Sequence, residues 1–177
     1  MDGVGGNDHA RIGSTEVRFG RLRVHNALGS ELLALPVPLE VQYFNGTGFA
    51  VNAADSCTRL QRSDVIMRNY SRNLSACETG MTSPPATLTF AAGRASLRLT
   101  APGPGNDGSV DLNPRLTATD SGSVCLNGAG SAASTANQPW LQFNWSGGVA
   151  FDQNPAGRAA FGLSRKPAEL IYFREMY

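Results

Sequence analysis

The chain has 177 residues and a formal net charge of +1. This length fits one domain that can bury its own core, and the nearly neutral charge gives no field that would attract nucleic acid. No window reaches the roughly 18 apolar residues that a membrane-spanning helix needs. Only 16% of the residues are charged, and 20 Gly and 10 Pro break the chain into short segments, which is typical of short strands joined by turns.

The first residues form a Gly-rich stretch, GVGGND, without apolar periodicity. Such composition is typical of a linker, because it offers nothing that could pack on a core. We therefore expect residues 1–13 to be a linker and residues 14–177 to form one domain.

The stretch LPVPLEVQY has the clearest alternation of apolar and polar residues in the chain. Period-2 alternation predicts a strand with one face on the core. Pro36 and Pro38 remove two backbone donors, so the first half of this strand should lie at a sheet edge. Asn45 and Gly46 supply turn residues, and the partner strand is expected at Phe49–Val51.

The segment between Cys57 and Cys77 shows little periodicity, and we interpret it as a long irregular loop. A disulfide between these two residues would remove about 3 kcal/mol of chain entropy from the unfolded state, which favours this pairing over one with Cys125. The alternative is three reduced thiols. No CxxC spacing is present, so no metal site is predicted.

Further strands are predicted in the second half of the chain. A hairpin is expected around Gly93, with TLTF and RASLRL as its strands, and residues 127–138 form a loop without an apolar anchor. The apolar ending RAAFGLS to ELIYFRE predicts a closing hairpin. Eight or more short strands without a clear helix predict an all-β fold, an antiparallel β-sandwich of two packed sheets of the jelly-roll or Ig-like type.

Candidate catalytic residues are scarce. The two histidines, His9 and His25, do not support a Ser/His/Asp arrangement, and the aspartates fall in turn-like sequence where Asp is common for structural reasons. The segment GNDGSVD, with Asp107 and Asp111, lacks the ligand progression of a calcium loop. We therefore predict no catalytic residue, no cofactor and no metal ligand.

Aromatic side chains are the remaining candidates for a site. Trp140 enters the stretch WLQFNW, and Phe44 ends the alternating strand, so both are predicted to be exposed and able to stack on a ligand such as a sugar. Phe143 and Trp145 share a strand face with Leu141 and are predicted to belong to the core.

Several motifs together resemble the C-terminal domain of the MshQ-like proteins. They are GRLR at residues 20–23, SELLALPVPL at 30–39, DSCT at 55–58, and the pair FGLSR and YFREMY at 161–165 and 172–177. The resemblance covers residues 15–177. In the family the terminal hairpin commonly reads more like YRGxDxxIYWRE, and Lys166, Pro167 and Phe173 depart from that pattern.

The resemblance implies an exported bacterial surface protein linked to the mannose-sensitive haemagglutinin (MSHA) type IV pilus system. Its implied role is adhesion or assembly without catalysis, at the cell surface, with pilus or envelope proteins as partners. The alternative is a carbohydrate-binding module that uses the exposed aromatics on surface glycans.

Overall fold

A computed structural model describes residues 17–82, 86–126 and 128–162. Among these, the chain forms strands and two short 3₁₀ turns, so the expected all-β fold with little helix is confirmed. The turns are Arg62–Asp64 and Pro139–Leu141. The strands are β1 Gly20–Val24, β2 Ala27–Gly29, β3 Leu35–Phe44, β4 Phe49–Val51, β5 Arg59–Gln61, β6 Val65–Arg72, β7 Thr87–Thr89, β8 Arg94–Leu99, β9 Gly108–Pro114, β10 Ser123–Leu126, β11 Ala129–Ala132 and β12 Gly157–Phe161.

The first sheet is built around β3. Strand β1 pairs with its second half on one side, and β8 and β4 pair end to end along the other side. Among the described residues, Leu35 to Pro38 therefore have a strand partner on one side only, which confirms the edge position predicted from the two prolines. The predicted β3–β4 hairpin is also present, with Phe44 opposite Phe49 and Gly46 at φ 101° in its turn.

Within the described ranges, the second sheet has six strands in the order β11-β10-β6-β9-β12-β2. All of its pairs are antiparallel except β12 with β2, which run parallel. Strand β2 follows β1 directly in the chain, so the polypeptide passes from one sheet to the other between Val24 and Ala27. A small third sheet pairs β5 with β7.

Apolar side chains from the two main sheets meet in one core. In β3 the inward residues Leu35, Val37, Leu39 and Val41 are at most 6% exposed, as their alternation predicts. Leu112 of β9 and Phe161 of β12 face them from the second sheet and are fully buried. The domain is thus a β-sandwich, with the core between its layers.

The interpretation of residues 57–77 as an irregular loop is wrong. This segment contains β5 and β6, and β6 lies between β9 and β10 in the larger sheet. Val65, Ile66 and Met67 are consecutive and all buried, because the segment around Gly122 covers the outer face at Ile66. Burial on both faces removes the alternation that identifies a strand, and a register shift between Arg68 and Ser71 removes the rest.

The predicted disulfide between Cys57 and Cys77 is also wrong. Cys77 is bonded to Cys125, with their Cα atoms 5.1 Å apart, and Cys57 is an exposed free thiol. The prediction failed because β5 and β6 order this segment, and because β10 brings Cys125 beside Cys77. The bond joins residues 48 positions apart and ties β10, the strand next to the edge of the larger sheet, to the loop after β6.

Two other expectations need correction. Strand β7 pairs with β5, and only the isolated bridge between Ala91 and Arg94 remains of the hairpin expected around Gly93. Residues 128–138 include β11 and are held by backbone hydrogen bonds from Ser134, Ala136 and Gln138 to neighbouring segments, so they are not an unanchored loop. The expected terminal hairpin and the expected linker at 1–13 lie largely or wholly outside the described residues.

Candidate functional site

Six aromatic rings form a continuous surface cluster, which we call the aromatic patch. Neighbouring ring centroids are 5.0–6.1 Å apart, within the range of favourable aromatic contacts. The members are Phe19, Phe44, Phe49, Phe143, Trp145 and Phe151.

Two local structures bring these rings together. The β3–β4 hairpin sets Phe44 opposite Phe49, and the Asn45 side chain accepts the backbone N–H groups of Thr47 and Gly48 and so fixes the turn. The second is the loop from Phe143 to Gln153, which is closed by a pair of backbone hydrogen bonds between these two residues. This loop presents Trp145 and Phe151 beside the hairpin.

The patch remains open to solvent. Phe19, Phe44 and Phe151 are 44–52% exposed, and Trp145 is 39% exposed. Val149, in the same loop as Trp145 and Phe151, is 97% exposed. Large apolar side chains grouped at the surface in this way mark interaction sites more often than scattered ones do.

Arg21 places a cation among the rings. Its guanidinium carbon lies 3.7 Å from the centroid of Phe49, 4.7 Å from that of Phe143 and 4.9 Å from that of Trp145. These distances are typical of cation–π contacts, which orient the Arg21 side chain and leave N–H groups of its guanidinium free to donate hydrogen bonds. Burial, and secondly the charge of Arg23, lower the pKa of Arg21.

No carboxylate of the described residues forms an ion pair with Arg21 or Arg23. Arg21 Nε donates to the neutral Oε1 of Gln42 at 2.9 Å, and Gln42 donates in turn to Glu40. Glu40 itself pairs with Arg94 at 3.5 Å and lies 3.1 Å from His25 Nε2. Glu40 also lies opposite Arg23 in the β1–β3 pair, and among the described residues Arg21 reaches this acid only through Gln42.

A cavity of about 640 Å³ lies next to the patch, at the end of β3. Gln42, which holds Arg21, also lines this cavity, so the two features adjoin. Trp140, which is 67% exposed, and Tyr43 supply aromatic surface. The polar lining side chains are those of Arg18, Gln42, Asn52, Asp55, Cys57, Thr58 and Gln138.

Two of these polar groups are held in place by the fold. Asp55 accepts hydrogen bonds from the Thr58 hydroxyl, at 2.6 Å, and from the backbone N–H groups of Cys57 and Thr58. Partial burial raises the pKa of Asp55, but these hydrogen bonds outweigh it, so the pKa lies below its ordinary value. Arg18 lies 4.6 Å from the Tyr43 ring centroid and donates to Asn52 at 3.1 Å. The cavity wall is therefore preorganised around an ionised carboxylate.

The two predicted stacking residues belong to different features. Phe44 is a member of the aromatic patch, whereas Trp140 lines the cavity and forms no ring pair among the described residues. The expectation that Phe143 and Trp145 belong to the core is wrong. The stretch WLQFNW begins with a 3₁₀ turn, so strand alternation does not apply, and its buried members are Leu141, at 4% exposure, and Gln142, at 6%.

Sequence reasoning missed Phe19 and Phe151 as site residues, and it placed Phe49 in the strand that pairs with β3 without choosing it as a stacking residue. Each lies at a strand end or in a loop, where an aromatic residue carries no periodic signal. The one available indication was the placement of Phe151 in SGGVAF, a Gly-rich segment that cannot easily bury a ring.

The aspartates singled out above form structural contacts. Asp111 binds Arg158 at 2.7 Å and accepts from Asn69, and Asp107 accepts from Asn73. Within the described ranges, no group of three or more His, Cys, Asp or Glu side chains is arranged to hold a metal ion. Likewise, no helix in this part of the chain is long and apolar enough to cross a membrane.

Comparison with known proteins yields one match. Residues 18–176 match the family described as DUF6701, fourth domain. No curated protein and no solved structure shows significant similarity to the chain. Because the match extends over nearly all of the sequence, including both the patch and the cavity, the chain belongs to the DUF6701 fourth-domain family.

Proposed function

We propose that this domain is a non-enzymatic binding module of an exported bacterial surface protein, and that the aromatic patch is its docking surface for a partner protein. The observation that carries the proposal is the cluster of six rings, four of them 39–52% exposed, with the Arg21 guanidinium packed on three of the rings. Protein interfaces are enriched in aromatic residues and Arg, and these residues dominate binding energy when a partner covers them.

The charge at the patch indicates what the partner should present. Among the described residues, Arg21 forms no direct ion pair with a carboxylate and keeps donors available beside the rings. A partner surface with a carboxylate next to an apolar side chain would satisfy both features. Opposite charge across the interface would also speed association.

Export is supported by the disulfide between Cys77 and Cys125, since such bonds persist mainly in oxidising compartments. The proposed link to a type IV, MSHA-like pilus system, in adhesion or assembly, is supported by the sequence motifs that resemble MshQ-like proteins. Pilus or envelope proteins are therefore the partners to test first.

The test is capture of partners from envelope and pilus fractions with the immobilised domain, followed by affinity measurement with each purified candidate. We expect the double variant Phe44→Ser, Phe151→Ser to lose at least tenfold in affinity, and Arg21→Ala to weaken binding most at low salt. Leu33→Ser is the matched control, because Leu33 is also exposed, at 67%, but lies outside the patch.

Two results would contradict the proposal. One is a captured partner whose affinity is the same for the wild-type domain and the double variant. The other is concentration-dependent dimerisation that the double variant abolishes, since the patch would then contact a second copy of the chain. Light scattering of the isolated domain distinguishes this case.

A further inference from the structure

We propose that the cavity beside Trp140 binds a hexopyranose unit of a glycan. This site adjoins the docking surface proposed above but uses different aromatic residues; Gln42, which lines the cavity, also holds Arg21. The inference depends on three features of the cavity: an exposed indole held in place, hydrogen-bonding groups at the wall, and a suitable size.

Trp140 is positioned for stacking. It lies in the turn Pro139–Leu141, where Pro139 restricts the backbone and Leu141 anchors the turn in the core at 4% exposure. The Trp140 side chain itself stays 67% exposed, so a ligand can reach it. The C–H face of a pyranose ring packs well on an indole, because the rigid ring supplies a large apolar area at little entropic cost.

The polar groups of the cavity match sugar hydroxyls, which both donate and accept hydrogen bonds. Gln138 Nε2 donates to the Arg59 carbonyl at 2.7 Å, but its Oε1 is buried and has no donor among the described residues. An unpaired buried acceptor is costly, and because this oxygen is enclosed, a ligand hydroxyl would satisfy it only after the Gln138 side chain turns toward the cavity. Asp55, ionised and fixed by Thr58, supplies a second acceptor at the same wall.

Size and charge narrow the ligand class. A cavity of about 640 Å³ falls in the range of small-molecule sites, with room for a sugar unit and part of its neighbour. Asp55 is the one acidic residue among the lining residues described, so the pair of carboxylates required for glycoside hydrolysis is not assembled here. The arrangement therefore suits binding without cleavage.

The chain offers a direct optical test, because it contains two tryptophans and they lie in different features. In a Trp145→Phe background, Trp140 is the sole indole and its fluorescence reports on the cavity. We expect saturable changes in emission on titration with the methyl glycosides of glucose, galactose, mannose or N-acetylglucosamine, and binding of the wild-type domain to at least one class on a glycan array.

Variants then locate the site. Trp140→Ala should lower affinity for the selected glycan at least tenfold, with an unchanged circular dichroism spectrum because the side chain is exposed. Trp140→Phe should retain part of the binding. The Phe44→Ser, Phe151→Ser variant should bind the glycan as the wild type does, even though it loses the protein partner.

The outcomes separate the two proposals. Absence of binding to every glycan on the array, or binding that survives Trp140→Ala, overturns the sugar site and leaves the docking surface untouched. Glycan binding that is lost in the patch variant but kept in Trp140→Ala also overturns it, because the aromatic patch would then be the sugar platform.

Discussion

The core between the sheets and the aromatic patch are both apolar clusters, but they are built from different side chains. The core is mostly Leu, Val, Ile and Met, and Phe90 and Phe161 are its only Phe rings among the described residues. The patch holds five of the eight Phe in the chain and one of the two Trp. Most of the Phe side chains therefore lie in the partly exposed patch and not in the core.

This difference indicates that stability and recognition are carried by separate residues. Branched aliphatic side chains fill the space between pleated sheets, and their loss leaves a cavity. Rings that are half exposed in the folded domain contribute less to folding, so their retention at the surface is better explained by binding. The comparison predicts that substitutions in the core lower the stability of the fold, whereas substitutions in the patch weaken partner binding with little effect on stability.

The largest effect is expected in the core. Phe161→Ala should lower the free energy of unfolding by about 3–5 kcal/mol, because Phe161 is fully buried between β9 and β2 and its removal leaves a void. Urea denaturation followed by circular dichroism measures this. A loss below about 1 kcal/mol would mean that the sheets do not pack as described.

The disulfide gives the next largest effect. Replacing Cys77 and Cys125 together by Ser should lower the free energy of unfolding by about 2–4 kcal/mol, since the bond restricts a long stretch of the unfolded chain. Cys57→Ser, at the exposed thiol, is the matched control and should change stability by less than about 0.5 kcal/mol. Equal effects of the two replacements would contradict the assigned pairing.

The patch should be far less important to folding. The double variant Phe44→Ser, Phe151→Ser removes two half-exposed rings and their edge contacts, so we expect a loss of about 1 kcal/mol. The same denaturation experiment provides the measurement. If this variant unfolded as readily as Phe161→Ala, the patch would be a structural cluster and its proposed role would fail.

The smallest effect on stability is expected at Glu40, on the polar outer face of the first sheet. Partial burial of Glu40 opposes ionisation, but the hydrogen bond from Gln42 and the neighbouring His25 and Arg94 lower its pKa below the ordinary value of 4.5. A carboxyl with a lowered pKa in the folded state stabilises the fold above about pH 4.5, and that contribution is lost as the pH falls through the folded pKa.

Glu40→Gln tests this contribution. It should lower stability at pH 7 by less than about 1 kcal/mol, as expected for a surface ion pair. The difference in melting temperature between wild type and variant should shrink as the pH is lowered through the titration range of Glu40. A difference that stays constant down to pH 3 would show that the charge of Glu40 contributes nothing.

The features that the sequence predicted well are local. The alternation from Leu35 to Val41 identified β3 and its inward face, and the prolines identified its edge, because both signals depend only on neighbouring residues. The hairpin turn at Asn45 and Gly46 was also read correctly, since turn geometry is set by the residues in the turn.

Errors arose where a strand is covered on both faces or where partners are distant in sequence. Strand β6 has no alternation because Ile66 is buried on the outer side, so the segment resembled a loop. Strand β7 pairs with β5 and not with β8 as predicted, and Cys77 is bonded to Cys125. Both pairings depend on long-range contacts, which a local sequence pattern does not indicate.

The sequence by itself determined that the chain is an all-β domain of short strands, since periodicity, turn residues and low charge are properties of neighbouring residues. It also indicated that Phe44 and Trp140 would be exposed. Only the tertiary structure decided that Phe44 joins five other rings around Arg21 while Trp140 lines a separate cavity. The physical reason is that a surface cluster is assembled from strand ends and loops, whose relative positions are set by the packing of the two sheets.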